Sequence, residues 1–532
     1  MGGLELNVND DQAHSETLFF PDRIQRHALT QPESVALISD QGETRTWKDL
    51  ADTSNRLANQ LLALGCQKGD RIAYLGRNSI AVCEFMCGVM AAGCVLVPLP
   101  LTATEEALRA LLQDCEPVVL AVEEAFQDLV RSVLKDVPSL YSLGALGLDF
   151  ESEEFSFYRS WSRHASANPP AHLLQPKDLF AVTYSSGTTG APKGIMLDHG
   201  TRLGQSETLA LAGFDATGVN IISTPLYSYG ALSTWMAALV GGSANLLMSH
   251  FDATRFLELV QLHQVTHAIL VPVQYERILK APGFHETDLS SMRFWFGGSA
   301  PMREEEKRAI VEALPGEIIE MYSLTEGGVT TALAMKHFPE KLGSVGLPAG
   351  GCDVQIIDDD GQTLPQGEVG EIVGRSKLSM SGYLNQKSLS EKALWHDKEG
   401  NAFLRSGDNG FLDEDGFLYL LDRKKDMIIS GGVNIYATDL EAMLERHEAV
   451  CEAAVVAAPS SRWGETPYAF LVLEDNHEAS VQAILESTNR SLAKTQRLGG
   501  GEKVTSLPRN HLGKIQKNEL RRDLIESGRT VE

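Results

Sequence analysis

The sequence predicts an α/β protein in two unequal parts, a large N-terminal domain over 1–421 and a small α+β domain over 422–532. Three observations predict it. Short β-rich runs alternate with apolar helix-like stretches, as in RIAYLG (71–76), AVCEFMCGVMAAG (81–93) and CVLVPL (94–99). That order builds parallel sheets covered by helices. It recurs in VNIISTPL (219–226), STWMAALVGG (233–242) and SANLLMS (243–249), which suggests two similar α/β subdomains, although any α/β protein repeats the order. Finally, 400–435 sets Gly and Asp-Gly turns between short β-like runs, the pattern of hairpins.

The elements of the tail follow from the same cues. Charged DRKK at 422–425 interrupts the hairpins and marks the boundary between the parts. ATDLEAMLERHEAV (437–450) reads as an amphipathic helix, with Thr438 and Glu441 spaced as a capping box. VCEAAVVAAP (450–459) and YAFLVLE (468–474) read as strands, and 481–496 as a helix.

Composition limits the function classes. At 532 residues, 43% hydrophobic and 22% charged, the chain is ordinary globular protein, neither disordered nor fibrous. A net charge of −25 disfavours a generic nucleic-acid or anionic-membrane binder. Seven scattered cysteines, with no C-x-x-C pair, read as buried thiols in a reducing, cytoplasmic setting. The acidic opening MGGLELNVNDDQ lacks the apolar stretch of a signal peptide. The longest apolar run, 81–100, holds Glu84, Gly88 and Gly93 and ends in prolines, which fits a buried helix and strand and no transmembrane segment.

The most informative segment is LFAVTYSSGTTGAPKGIMLDH (179–199). A β-rich run leads into ten residues with three glycines, four hydroxyls and a lysine. Glycines let backbone approach a ligand, hydroxyls and free N–H groups donate to phosphate oxygens, and Lys193 adds a cation. G-x-x-x-x-G-K-[ST] does not occur, so this is a different phosphate loop. Read on its composition alone, the segment is also compatible with a flexible, solvated Gly/Ser loop, which would not need the hydroxyl–Gly–Lys order.

The string YSSGTTGAPKG (184–194) resembles the signature of the adenylate-forming superfamily, which includes AMP-forming acyl- and aryl-CoA synthetases, luciferases and peptide-synthetase adenylation domains. FGGSAPM (296–302), MYSLTEGG (321–328), SGDNGFLDEDGFLYLLDRKKDMIISGGVNIYATDLE (406–441) and PRNHLGKIQKNELR (508–521) match in the family's order, so the resemblance covers nearly the whole chain. It implies two Rossmann-like α/β subdomains and a β-rich, barrel-like part, followed by a mobile C-terminal domain. It also implies a carboxylic acid–CoA ligase using ATP, Mg2+ and CoA. The acid attacks the ATP α-phosphate, pyrophosphate leaves, and a thiol then displaces AMP.

The resemblance carries roles onto residues. Ser185, Ser186, Gly187, Thr188, Thr189, Gly190 and Lys193 would hold the β- and γ-phosphates. Gly298, Ser299 and Ala300 would flank adenine, Tyr322 with its neighbour Ser323 would meet the nucleotide, and Asp408 would accept from both ribose hydroxyls. Thr325 would donate to the α-phosphate, and Glu326 would help hold Mg2+. Arg423 would reach ribose or phosphate, and Lys425 would be the hinge. Gly431 and Gly432 would clear a tunnel for CoA. Lys514 would be the catalytic lysine that bridges the acid and the α-phosphate. Taken singly, these residues also read as a core tyrosine, a helix-start Thr-Glu, a turn aspartate and solvated charges.

The chain departs from the family at PLYSYGAL (225–232), where Ser228 follows Tyr227 in place of the frequent gating histidine. The expected acid pocket is Ser228, Tyr229, Gly230, Thr234 and Phe296, with Trp235 and Gln274 nearby, though Trp235 reads equally as core. No aspartate stands between Pro225 and Leu239, which disfavours an α-amino acid substrate. No basic residue stands in these stretches either, so no partner for a second carboxylate is expected. The alternative within the family loads an acid onto the pantetheine of a carrier protein. The end of the chain soon after 508–521 favours free CoA. A luciferase-type oxygenase and a non-catalytic nucleotide sensor are more distant readings, and a homodimer is left open.

Overall fold

A helix can be apolar all round only where it is covered on every side. The stretch 81–93 forms such a helix, Ile80–Ala91, in which only Ala81 escapes full burial. Ser79 caps it, its hydroxyl accepting from the Val82 N–H at 3.2 Å. The second expected stretch forms Tyr229–Gly241, which closes on Gly242 in the left-handed region at φ 87°. Both helices lie in one apolar core with residues of two sheets, among them Ile72, Leu96, Leu37 and Ile222. The repeated strand–helix–glycine–strand pattern is therefore real. The computed structural model describes residues 18–141, 144–171, 174–184, 192–423, 428–430, 433–435, 437–460, 462, 464–474, 479–490, 492, 496–510 and 514–527.

The first sheet has eight strands. Val95–Pro98, Arg71–Leu75, Val119–Val122, Ala145–Gly147 and Phe155–Phe157 run parallel to one another and to Leu179–Tyr184. Gly194–Asp198 and then Gly382–Tyr383 add antiparallel at its edge. The second sheet has nine strands, with a parallel centre of Val35–Ser39, Ala244–Leu247, Val219–Ile222, His267–Leu270, Phe294–Gly298 and Glu317–Ser323. The apolar runs of these central strands carry no polar alternation because helices cover both faces.

The β-rich part is a five-stranded antiparallel sheet of Asp353–Ile357, Gly370–Arg375, Ala402–Leu412, Leu394–His396 and Leu418–Arg423. The expected hairpin is there, its turn closed by Gly416 N–H donating to the Asp413 carbonyl at 3.0 Å. The next described strand, Ile428–Ser430, belongs to the last sheet, with Val433–Ile435, Val450–Ser460, Gly464–Leu473 and Gly500–Lys503.

Two expectations for the tail change. The helix there begins at Ala437, so Thr438 lies within it and does not cap it. Glu441 instead accepts from the Val455 N–H at 2.6 Å and from Lys517 at 2.9 Å. The helix expected over 481–496 ends at Asn489. The Asn489 amide accepts from the Leu498 N–H at 2.8 Å and donates to its carbonyl at 3.0 Å, which turns the chain.

Five of the seven cysteines, Cys66, Cys83, Cys87, Cys94 and Cys115, are buried, Cys352 is half-buried, and Cys451 alone is exposed. None is in a disulfide. Among the described residues no helix is long and apolar enough to cross a membrane.

Candidate active site

The phosphate-binding candidate bridges two antiparallel strands. Tyr184 pairs with Gly194 across it. Ser185, Ser186, Gly187, Thr188, Thr189 and Gly190 lie outside the described residues, while Lys193 is half-buried at the loop's exit. The exit is tied down from a distance. Gln386 donates to the Pro192 carbonyl at 2.7 Å, and the Leu384 N–H to Gly194 at 2.7 Å.

The strand Gly382–Tyr383 performs this tying, and it also brings Tyr383 to Glu326. The Tyr383 hydroxyl donates to Glu326 at 3.0 Å, and the Met380 N–H donates to the Glu326 carbonyl at 2.7 Å. Burial, and then the Glu326 charge, raises the Tyr383 hydroxyl's pKa well above its ordinary value, so it stays a donor. The carboxylate expected to hold Mg2+ is thus fixed beside the phosphate hairpin. Among the described residues no group of three or more His, Cys, Asp or Glu side chains could hold a metal unaided. A single carboxylate completed by phosphate oxygens is the donor set that suits Mg2+.

The residues expected to meet the nucleoside come from three neighbouring strands. Gly298 ends the strand Phe294–Gly298, and a Cβ there would stand 2.6 Å from the Met321 carbonyl, so only glycine fits. Ser299 follows at φ 68°, exposed, in a region that non-glycine residues seldom enter, and Ala300 is half-buried. Tyr322 lies on the neighbouring strand Glu317–Ser323, and its hydroxyl donates to Asp408 at 2.7 Å. Asp408 comes from the five-stranded sheet, its N–H donating to the Ser406 hydroxyl at 3.0 Å. Ser323 stays at the strand end, its hydroxyl within 3.2 Å of the Val329 carbonyl. Thr325 stands half-buried in the turn that follows. Gly327 holds that turn at φ 74°, where a Cβ would be 2.4 Å from the Leu378 carbonyl.

The remaining expected residues sit at the small domain. Arg423 pairs with Asp408 in strand register, and its side chain lies outside the described residues. Lys425, Gly431 and Gly432 also lie outside them. Lys514 is half-buried in a turn closed by its N–H to the Asn510 side chain at 2.9 Å and by the Asn510 N–H to its carbonyl at 2.9 Å. Arg303, just past the 298–300 strip, forms an ion pair with Glu445 of the small domain.

The expected acid pocket divides. Gly230 faces the strip, since a Cβ there would stand 3.5 Å from the Ser299 hydroxyl and 3.1 Å from Ile269. Phe296 belongs to an apolar wall with Phe214, Ala237, Ala238 and Ile269. Tyr229 is half-buried at the start of its helix. Ser228 is buried, its hydroxyl donating to the Pro225 carbonyl at 2.7 Å. Thr234 is fully buried and bonds to its own helix at Ala231, 3.2 Å away. Trp235 belongs to the core between the sheets, and Gln274 caps its own helix by accepting from the Val271 N–H at 3.1 Å.

Two residues escaped sequence reasoning. Tyr383 acts on Glu326 across 57 positions, with no local signal. Arg202, which lies outside the stretches read for the acid pocket, packs its guanidinium carbon 4.7 Å from the centre of the Tyr229 ring.

Comparison with known proteins agrees with this geometry. The AMP-binding enzyme family matches residues 24–384, and its C-terminal domain matches 439–514. The chain is 32% identical to a fatty acid–acyl-carrier-protein ligase, ScoC, of Streptomyces coeruleorubidus, over 93% of this chain and 94% of that one. It is also 32% identical to a feruloyl-CoA synthase of Amycolatopsis, over 93% and 97%. The crystal structure of ATP-bound MatB from Rhodopseudomonas palustris superposes with a TM-score of 0.86 at 27% identity, over 96% and 100%. The chain belongs to the AMP-binding enzymes of the adenylate-forming superfamily, and it is an AMP-forming acid–thiol ligase of the acyl-CoA synthetase type.

Proposed function

We propose that Tyr322, Asp408 and the strip Gly298, Ser299 and Ala300 seat the nucleoside of ATP while Glu326 and the 185–193 loop manage its phosphates. The observation that carries this reading is the 2.7 Å bond between Tyr322 and Asp408, contributed by two different sheets. It sets an aromatic ring and a diol-accepting carboxylate side by side, a few residues from Thr325 and Glu326. Glu326 would hold Mg2+, which would supply charge neutralisation on the departing pyrophosphate.

The acid's carboxylate oxygen attacks the α-phosphorus, the bond to the bridging oxygen breaks, and pyrophosphate leaves. Thr325 donates to the α-phosphate, and the Lys514 ammonium stabilises charge shared by the acid and the phosphoryl group. The CoA thiol then gives its proton to solvent, its sulfur bonds to the acyl carbon, and the C–O bond to AMP breaks, releasing AMP with the electron pair on its phosphate oxygen. Gly431 and Gly432 leave clearance for pantetheine, and Lys425 is the hinge between a body over 1–421 and a cap over 422–532. The setting is cytoplasmic.

Acid-dependent pyrophosphate release, measured over fatty, aryl and dicarboxylic acids with and without CoA, tests the reading. Lys514→Ala is expected to slow release by ~100- to 1,000-fold; an unchanged rate removes the lysine from the mechanism. The similarity to ScoC supports a second reading, with a carrier-protein pantetheine as acceptor. Thioester formation on free CoA against a phosphopantetheinylated carrier separates the two.

A further inference from the structure

We propose that Arg202 is the specificity determinant of the acid pocket and receives a second carboxylate on the substrate. The inference rests on the reading of this pocket as the acid site. Arg202 stands in the helix His199–Ala210, which starts where the phosphate hairpin ends and is capped by Asp198 accepting from the Thr201 N–H at 2.7 Å. The side chain is 0% exposed. One guanidinium nitrogen, Nη1, donates to the Gln205 side-chain amide oxygen at 3.2 Å, while Nε and Nη2 make no well-formed hydrogen bond and have only the Tyr229 hydroxyl in reach. Among the described residues the ionisable group acting on it is Tyr229, and no carboxylate does so. Burial alone lowers its pKa from the ordinary value.

A buried cation is costly unless something of opposite charge meets it, and an apolar side chain would fill the same space without that cost. The position of the charge says where its partner comes from. The Tyr229 hydroxyl reaches Ser323, Arg202 and Gln205, so the Arg202–Tyr229 pair lies against the strand end that carries Tyr322. Gly230, next in sequence, faces Ser299 and Ile269. Moving away from the adenylate strip, a substrate thus meets Gly230 and Ile269, then Tyr229 with Arg202 behind it. Tyr229 is half-buried at the start of its helix, and rotation about its side-chain bonds would uncover the guanidinium without any backbone change. The reacting carboxylate is consumed at the α-phosphate, so a monocarboxylic acid leaves Arg202 unmet. A second carboxylate satisfies the planar fork with two parallel N–H donors.

The test is kcat/KM for pyrophosphate release over α,ω-dicarboxylates of graded length and aryl dicarboxylates, each against the monocarboxylate of matched size. The expected result is one preferred diacid, favoured ~30-fold or more over its monoacid by the wild-type protein. Arg202→Met is expected to lower that ratio ~100-fold, and Arg202→Lys to lower it less, because a point charge replaces the fork. A wild-type ratio near one, or a ratio that Arg202→Met leaves unchanged, overturns the proposal. The wild-type comparison decides alone if Arg202→Met does not fold. If no acid drives pyrophosphate release, the acid-site reading itself fails. If monoacids drive it and Arg202 is indifferent, only this inference fails.

Discussion

The two α/β halves share a skeleton and treat a buried charge in opposite ways. In the first, Glu84 sits at 0% exposure in the helix Ile80–Ala91 and is saturated. It accepts from Arg45 at 3.0 Å, from Arg159 at 2.8 and 2.9 Å, and from the Tyr158 hydroxyl. In the second, Arg202 is equally buried beside the helix Tyr229–Gly241, and two of its nitrogens make no well-formed hydrogen bond and face no carboxylate. Ser79 caps the first helix, whereas the Ser228 hydroxyl turns away from the second to bond Pro225. One half saturates its buried charge; the other leaves part of its buried charge unmatched beside Tyr229.

Breaking the saturated charge has the largest expected effect. Glu84→Ala empties a buried site, takes its acceptor from the Tyr158 hydroxyl and removes an ion pair from each of Arg45 and Arg159, so it is expected to cost about 3–5 kcal/mol in urea unfolding. A loss below about 1 kcal/mol would mean that the network carries little.

The next effect is a pH dependence confined to the second half. His267 is stacked on Phe214 with ring centres 4.0 Å apart, its Nε2–H donates to the Ala212 carbonyl at 2.9 Å, and burial pushes its pKa down to about 4. Arg293 also lowers it, and Asp215 raises it. As pH falls from 6.5 towards 4, the unfolded chain takes up a proton that the folded protein refuses, so stability is lost over that window, up to about 3 kcal/mol. His267→Gln is expected to remove that part of the slope, read as the difference between thermal melts of the two proteins at pH 7.5 and 4.5.

The smallest effect sharpens the contrast most. Arg202→Met is expected to stabilise the fold by about 1 kcal/mol in the same urea assay, because it deletes an unsatisfied buried cation. A large loss of stability would place Arg202 with Glu84 as scaffold.

How much of this the sequence exposes depends on how far apart the interacting residues lie. The twin helices were legible because an all-apolar stretch closing on glycine is a local pattern. The hairpin around Asp413 and Gly416 was legible for the same reason. Tyr322, Asp408 and Lys193 were found through contiguous strings that resemble a family. Tyr383 was not, because its work is done on Glu326 through a strand added at a sheet edge 57 positions later. Arg202 was not, because a lysine or arginine on a helix normally reads as solvated surface, and only packing of His199–Ala210 along Tyr229–Gly241 puts it beneath Tyr229. The over-long helix at 481–496 failed because Asn489 spends its amide on Leu498.

The distribution of thiols has a practical consequence. Five cysteines are sealed in the first half, and Cys451 is exposed on the small domain, on the side that feels the charges of Glu276 and Lys280 in the large body. A maleimide fluorophore added to the native protein will label that one position ahead of the others. Without a single engineered cysteine, the natural chain offers a reporter whose emission can follow the small domain through turnover.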